Sequence, residues 1–236
     1  MPVHDTVRLV TRTSESTRAR LITAAEQLFA EHGVDVVSLR EINLASGSRN
    51  AMALQYHFED RTGVLRAILD KHEPSVDARR HAMLDQYEAD GTPNLRALTG
   101  TLVRASASKL ADSDGGPAYL QIAADLLNRP HPVVSPISVE DPRSSLHRWR
   151  ALVTPLLAED AVRLHRRWAA MLFTATELAR RASTGPHRDD RLFVSHLIDL
   201  VTGLLAAPVS EETLRLAEDK EAAQTNGRKS RPRREP

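Results

Sequence analysis

Apolar residues recur at helical spacing along nearly the whole chain, and nowhere do they alternate with period two for long enough to predict a strand. Leu21, Ala24, Ala25, Leu28 and Phe29 mark one face of a first helix, capped by Ser16 or Thr17 and ended by Gly33. Ser38 followed by Glu41 is a capping box, and Val37 with Ile42 completes a hydrophobic staple, so a second helix starts at about Leu39. Gly47, between Ser46 and Ser48, tolerates positive φ and stops it. The spacing predicts that a third helix follows at once. Its packed face is Ala51, Leu54 and Phe58, leaving Arg49, Asn50, Met52, Ala53, Gln55, Tyr56 and His57 off that face. Ala45 is small enough for these two helices to cross closely. Asp60 caps a fourth helix carrying Val64, Leu65, Ile68 and Leu69, with a stop predicted near Glu73 because Pro74 has no amide to continue the ladder.

From Pro74 the pattern is helix after helix. Val76, Met83, Leu84 and Tyr87 lead to a stop at Asp90 and Gly91; Leu95, Leu98, Leu102, Val103 and Leu110 mark the next helix, and Tyr119, Leu120, Ile122, Ala123, Leu126 and Leu127 another. Residues 129–143 are proline-rich and read as a long loop. Beyond it come a helix through Leu146, Trp149, Leu152, Val153 and Leu156, a single long helix over 159–183, and a last strong one over 189–207. The expectation is an all-α chain in four parts: a flexible arm (1–15), a helix-turn-helix unit (16–63), a larger helical domain (64–207) and a polar, basic, largely disordered tail (208–236). The last two strong helices carry more apolar surface than the outer helices of a monomer need. Phe193, Leu197 and Leu204 therefore serve either a homodimer interface or an intramolecular core.

With 236 residues, 41% hydrophobic and 27% charged, the chain has the makeup of a soluble globular protein large enough for a proper core. It holds no Cys, which excludes disulfides, thiolate zinc sites and cysteine nucleophiles and fits a cytoplasmic setting. No apolar run predicts a signal peptide or a membrane span. Net charge is only +1, and residues 1–72 carry nine Arg or Lys against nine Asp or Glu, 9 − 9 = 0. A nucleic-acid reader this neutral leans on a second copy for affinity. Phosphate loops, dinucleotide fingerprints, zincin motifs and nucleophile elbows are missing, and the His residues are scattered, His165 and His196 falling on apolar stripes as core or interface residues. The expectation is a non-enzyme with no cofactor and no metal.

The polar side of the third helix has the chemistry of base readout. Arg49 suits a guanine edge or a phosphate, Asn50 and Gln55 suit adenine, and Met52 or Ala53 suits a thymine methyl. Tyr56, His57 and Arg61 suit phosphate oxygens, and Ser38 and Ser48 complete the candidate interface at the helix ends. An ordinary α-hairpin with a solvated polar face satisfies the same spacing.

Three segments in order, LITAAEQLFAEHG, SLREI and ALQYHFEDRTGVLRAIL, resemble the N-terminal domain of the tetracycline-repressor family of bacterial transcription regulators. Counted back from Phe58, the turn is one or two residues longer than the commonest family pattern, so Gln55 to Arg61 carry over most directly. The resemblance implies a homodimeric DNA-binding regulator, a repressor released from a palindromic operator by a small molecule held among the middle helices. Its partners would be double-stranded DNA, that effector and a second copy, with no membrane. Met83, Tyr87, Tyr119, Trp149, Trp168 and Phe173 are the candidate lining residues. Two rivals are a helical protein-interaction module that does not touch DNA and an enzyme built on a helical bundle.

Overall fold

The computed structural model describes residues 3–48, 50, 52–135 and 139–229, with side chains described between 15 and 222. Over these residues the chain is all-α, without a strand. The helices are α1 (Val3–His32), α2 (Leu39–Ala45), α3 (Ala53–Phe58), α4 (Arg61–Asp90), α5 (Leu95–Ala107), α6 (Gly116–Leu127), α7 (Ser145–Val153), α8 (Glu159–Arg163), α9 (Arg166–Ser183), α10 (Arg191–Ala206) and α11 (Glu211–Lys229). Short 3-10 turns follow α5 and α7.

Local stop and start signals act where the sequence puts them. Ser38 accepts from the Glu41 amide at 3.2 Å while its own amide donates to Glu41 Oε2 at 2.6 Å, so the capping box is closed at both ends. Asp60 Oδ1 accepts from the Gly63 amide at 2.8 Å and starts α4. Gly33, Gly47 and Gly91 take positive φ at the ends of α1, α2 and α4.

Four boundaries outside the helix-turn-helix turn differ from the sequence reading. α1 begins at Val3, so helix runs through the stretch expected to be an arm; no Pro or Gly interrupts 3–32, and the caps at Ser16 and Thr17 are optional. α4 continues through Pro74 as one helix of 30 residues, held on both sides of the proline by buried Ile68, Leu69, His72, Val76 and Leu84. The long helix expected over 159–183 is two, broken where His165 takes φ 57°. Residues 211–229, expected to be disordered, form α11: Ser210 Oγ accepts from the Thr213 amide at 3.3 Å, and Glu211 and Glu212 suit the positive end of the helix dipole.

One apolar core joins both regions. α1, α2 and α3 close around Leu21, Phe29, Ile42, Leu54 and Phe58, and the core continues along α4 through Leu65 and Ile68 into the body. There α6 packs along α9, and α5 lies among α4, α7 and α10. Trp149 is fully buried, its indole N–H donating to the Leu98 carbonyl at 2.9 Å. Among the described residues, no single helix is long and apolar enough to cross a membrane.

Candidate functional site

α2 and α3 form a helix-turn-helix whose turn is built from side-chain hydrogen bonds. Asn43 is buried and donates from Nδ2 to the Asn50 carbonyl at 3.0 Å. Ser46 donates to the Asn43 carbonyl at 2.7 Å and accepts from the Ser48 amide at 3.3 Å. Ser48 Oγ in turn donates to the Asn50 carbonyl, at 3.2 Å, and accepts from the Asn50 amide, at 3.3 Å. Asn50 Oδ1 accepts from the Met52 amide at 3.0 Å. Ser, Asn and Ser side chains offer the backbone such turns in preference to helix, which is why α3 starts only at Ala53. Ser48, expected at the interface, and Asn50, expected at the bases, both help shape the turn, and Asn50 remains exposed. Ser38 likewise spends its hydroxyl on the α2 cap. Arg49 and Ala51 lie outside the described residues.

The face of α3 left open is smaller and more apolar than the sequence reading had it. Met52 is 58% and Tyr56 80% exposed, and Gln55 is exposed between them, while Ala53, expected outside, is buried with Leu54 and Phe58. Ala45, expected to mediate the helix crossing, is exposed, whereas Ser46 at the end of α2 is buried. His57 is half-buried and meets the Tyr56 ring edge-on at 5.1 Å. Burial first, and then the Arg18 guanidinium, hold its pKa below the ordinary histidine value, so at neutral pH it offers a hydrogen bond rather than a charge. Arg18 itself lies over the Phe58 ring at 5.3 Å.

Arg61, expected at a phosphate, has a structural task here. Nη1 donates to the Asp35 carbonyl at 3.0 Å and Nη2 to the Val37 carbonyl at 2.7 Å, so α4 grips the loop that delivers α2. The same loop is held from the body: Arg129, just beyond α6, meets the Asp35 carboxylate through both terminal nitrogens at 2.9 Å and reaches Asp125 at 2.6 Å. Gly63 closes the corner between α3 and α4, where a Cβ would stand 1.9 Å from the Phe58 carbonyl oxygen.

A second junction ties α1 to the body. Buried Glu26 accepts from Lys71 Nζ at 3.0 Å, its other oxygen lies 2.8 Å from His72 Nε2, and Lys71 also reaches Asp114 at 2.9 Å. Gly115 passes so close that a Cβ would stand 2.2 Å from Glu26 Oε2. His72 stacks on Tyr119 with ring centroids 4.8 Å apart.

Tyr119 is also part of the wall of a cavity of about 440 Å³ bounded by α4, α5, α6, α9 and the start of α7. Of the six aromatic and methionine residues expected to line such a space, only Tyr119 does so. Trp149 is core, Trp168 is exposed, and Met83, Tyr87 and Phe173 pack against the core elsewhere. The charged wall went unread in the sequence. Arg80, only 4% exposed, donates to Ser145 Oγ at 2.8 Å and Ser106 Oγ at 3.3 Å, and burial lowers its pKa to about 10. Ser145 in turn donates from its amide and hydroxyl to Asp77, at 2.8 and 2.6 Å. Burial, then Asp70 and Asp77, push Glu73 up to about 7. No sequence signal pointed here, because periodicity alone counts charged positions such as Glu73 and Arg80 on α4 as surface.

On α10, Leu197, Ile198, Val201 and Leu205 face the core, while Leu192, 83% exposed, and Leu200 lie on the outer side with His196. Fold and site together define an all-α protein with a helix-turn-helix at one end and a cavity-bearing helical body. No family profile matches the chain, and no curated protein does. Among solved structures, the chain is similar to RolR, determined in complex with resorcinol, at 20% identity and a TM-score of 0.36, covering 85% of this chain and 98% of that one.

Proposed function

We propose that the chain is a DNA-binding transcriptional regulator of the tetracycline-repressor kind: a cytoplasmic, non-enzymatic homodimer that represses from a palindromic operator until a small molecule enters the body cavity. The observation that carries this reading is the open face at α3, with Gln55 and Tyr56 on the helix and Met52 just before it in solvent, while Ala53, Leu54 and Phe58 on its other side are buried. The three motif segments noted in the sequence are the second support. Gln55 and Met52 read base edges; Tyr56 and His57 hold the phosphates beside them.

A palindromic operator needs two such helices one duplex turn apart, and two-fold symmetry supplies them. The outer stripe of α10, with Leu192, His196 and Leu200, together with exposed Trp168 on α9, is the surface for the second copy. Release follows from α6, which borders the cavity at Tyr119 and leads to both junctions, His72–Glu26 on one side and Arg129–Asp35 on the other. To weaken operator binding a hundredfold the effector must favour the non-binding state by about 2.8 kcal/mol.

A mobility-shift titration on DNA flanking the coding region, run across salt concentrations alongside light scattering, tests this. A dimer that shifts a discrete fragment with a modest salt slope supports it. A monomer, or a shift that is indifferent to sequence, refutes it.

A further inference from the structure

Among the described residues, every charged group on the cavity wall has a counter-charge except one. Arg80 and Asp77 balance each other across Ser145 Oγ, which accepts from the first and donates to the second. Arg143 pairs with Asp141 at 3.2 Å. Tyr119, from α6, is held as the neutral phenol by burial and by the nearby carboxylate of Glu73. The other walls, from α5 and α9, contribute Leu102, Met171, Thr174 and Leu178 and no ionisable group. Among the described residues of the wall, Glu73 alone lacks a cation: its charged neighbours are the acids Asp70 and Asp77, and its Oε1 is buried without a hydrogen-bond partner among them.

We infer that the cavity takes an amphipathic cation, a ring-sized apolar molecule bearing a protonated amine, with the ammonium donating to Glu73 and the rings against the leucines and Met171. The reasoning is one of charge completion. An ammonium gives Glu73 the partner it lacks, in a place where a charge-assisted hydrogen bond is stronger than in water. A carboxylate ligand would instead meet Glu73 and Asp77 with like charge, and Arg80 already has its counter-ion. A neutral alcohol would satisfy Oε1 but offer no counter-charge to the ionised carboxylate. Binding of a cation draws Glu73 toward its ionised form, so complex formation near pH 7 releases protons, and affinity for the amine rises as pH climbs through 7.

This inference rests on the body cavity being the effector site proposed above, and calorimetry on the full chain without DNA keeps the two apart. The probes are primary amines on one-, two- and three-ring scaffolds, such as naphthylmethylamine, each with its matched alcohol and carboxylic acid, titrated at pH 6 and 8 in buffers of different ionisation enthalpy. The expected result is that at least one amine binds about tenfold more tightly than its alcohol at pH 8. It should release protons near pH 7 and lose that advantage in Glu73→Gln. Equal or tighter binding of the alcohol or acid, an amine preference that survives Glu73→Gln, or no binding by any amine would overturn it. An amine that binds as expected yet leaves the DNA complex intact would count against the regulatory reading and leave the ligand class standing.

Discussion

Glu26 Oε1 and His72 Nε2 lie 2.8 Å apart, each residue 1% exposed, and this contact joins the first helix of the helix-turn-helix unit to the helix that enters the body. Around it sit the Lys71 ammonium, the Gly115 backbone and the Tyr119 ring. A buried polar pair of this kind is costly to break from one side, because the partner left behind keeps its desolvation penalty. His72→Leu should therefore cost about 3 kcal/mol in chemical denaturation. A loss within a few tenths of the value for an exposed site would show that the pair has no structural role.

Gly63 leads to a sharper expectation, since the atom a methyl group would strike is backbone, the Phe58 carbonyl oxygen at 1.9 Å. Gly63→Ala must move the start of α4 or the end of α3, and a cost of about 2 kcal/mol or more follows. Gly47→Ala, where positive φ is the only constraint and nothing lies within 4 Å, should cost about 1 kcal/mol. Urea midpoints of the two variants compare them directly; a reversed order would contradict the corner geometry.

Arg61 and Gln55 separate fold from recognition. Arg61→Ala leaves the Asp35 and Val37 carbonyls without their donors and should lower stability by about 1–2 kcal/mol, with Arg61→Lys rescuing little because the two bonds need a forked group. Gln55→Ala, at an exposed position, should leave the melting temperature unchanged and alter sequence preference on DNA. Thermal melts paired with binding to a panel of operator variants check both; a stable Arg61→Ala, or an unstable Gln55→Ala, would exchange the roles.

Glu73 predicts a pH dependence of fixed sign. Its folded pKa, about 7, lies above the ordinary 4.5, so folding favours the protonated form. The stability this group contributes is whole below about pH 4.5 and is lost as pH rises through 7. Glu73→Gln, which cannot ionise, should match the parent near pH 4 and exceed it at pH 8, by on the order of 2 kcal/mol. A gap that is constant with pH, or that opens toward acid, would place the carboxyl in a different environment.

What could be read from the sequence was what is decided within a few residues. Ser38 with Glu41, Gly47, Asp60 and Gly91 act at the positions where they were expected, because caps and left-handed stops depend on their neighbours alone. Pro74 was misread as an end because the cost of one missing amide is local, whereas the packing that carries α4 past it is spread over the body. The structural bonds of Arg61 were not legible because its partners, Asp35 and Val37, lie more than twenty residues away in the chain. Exposure at Gln55 and Tyr56 was legible, as it was at Asn50, but the bond from the Met52 amide to Asn50 Oδ1 that shapes the turn was not. Glu73 and Arg80 were invisible as cavity residues, since charged side chains off an apolar stripe read as solvated until the opposing helices are known.

The most direct test of the central claim is selection from a randomised duplex pool by the full chain, followed by equilibrium binding of the enriched sequence to the parent and to a Gln55→Ala/Tyr56→Ala variant. The account predicts enrichment of a two-fold symmetric site, bound by the parent as a dimer and at least tenfold more weakly by the equally stable variant. Failure to enrich any sequence, or equal binding by parent and variant, would contradict it.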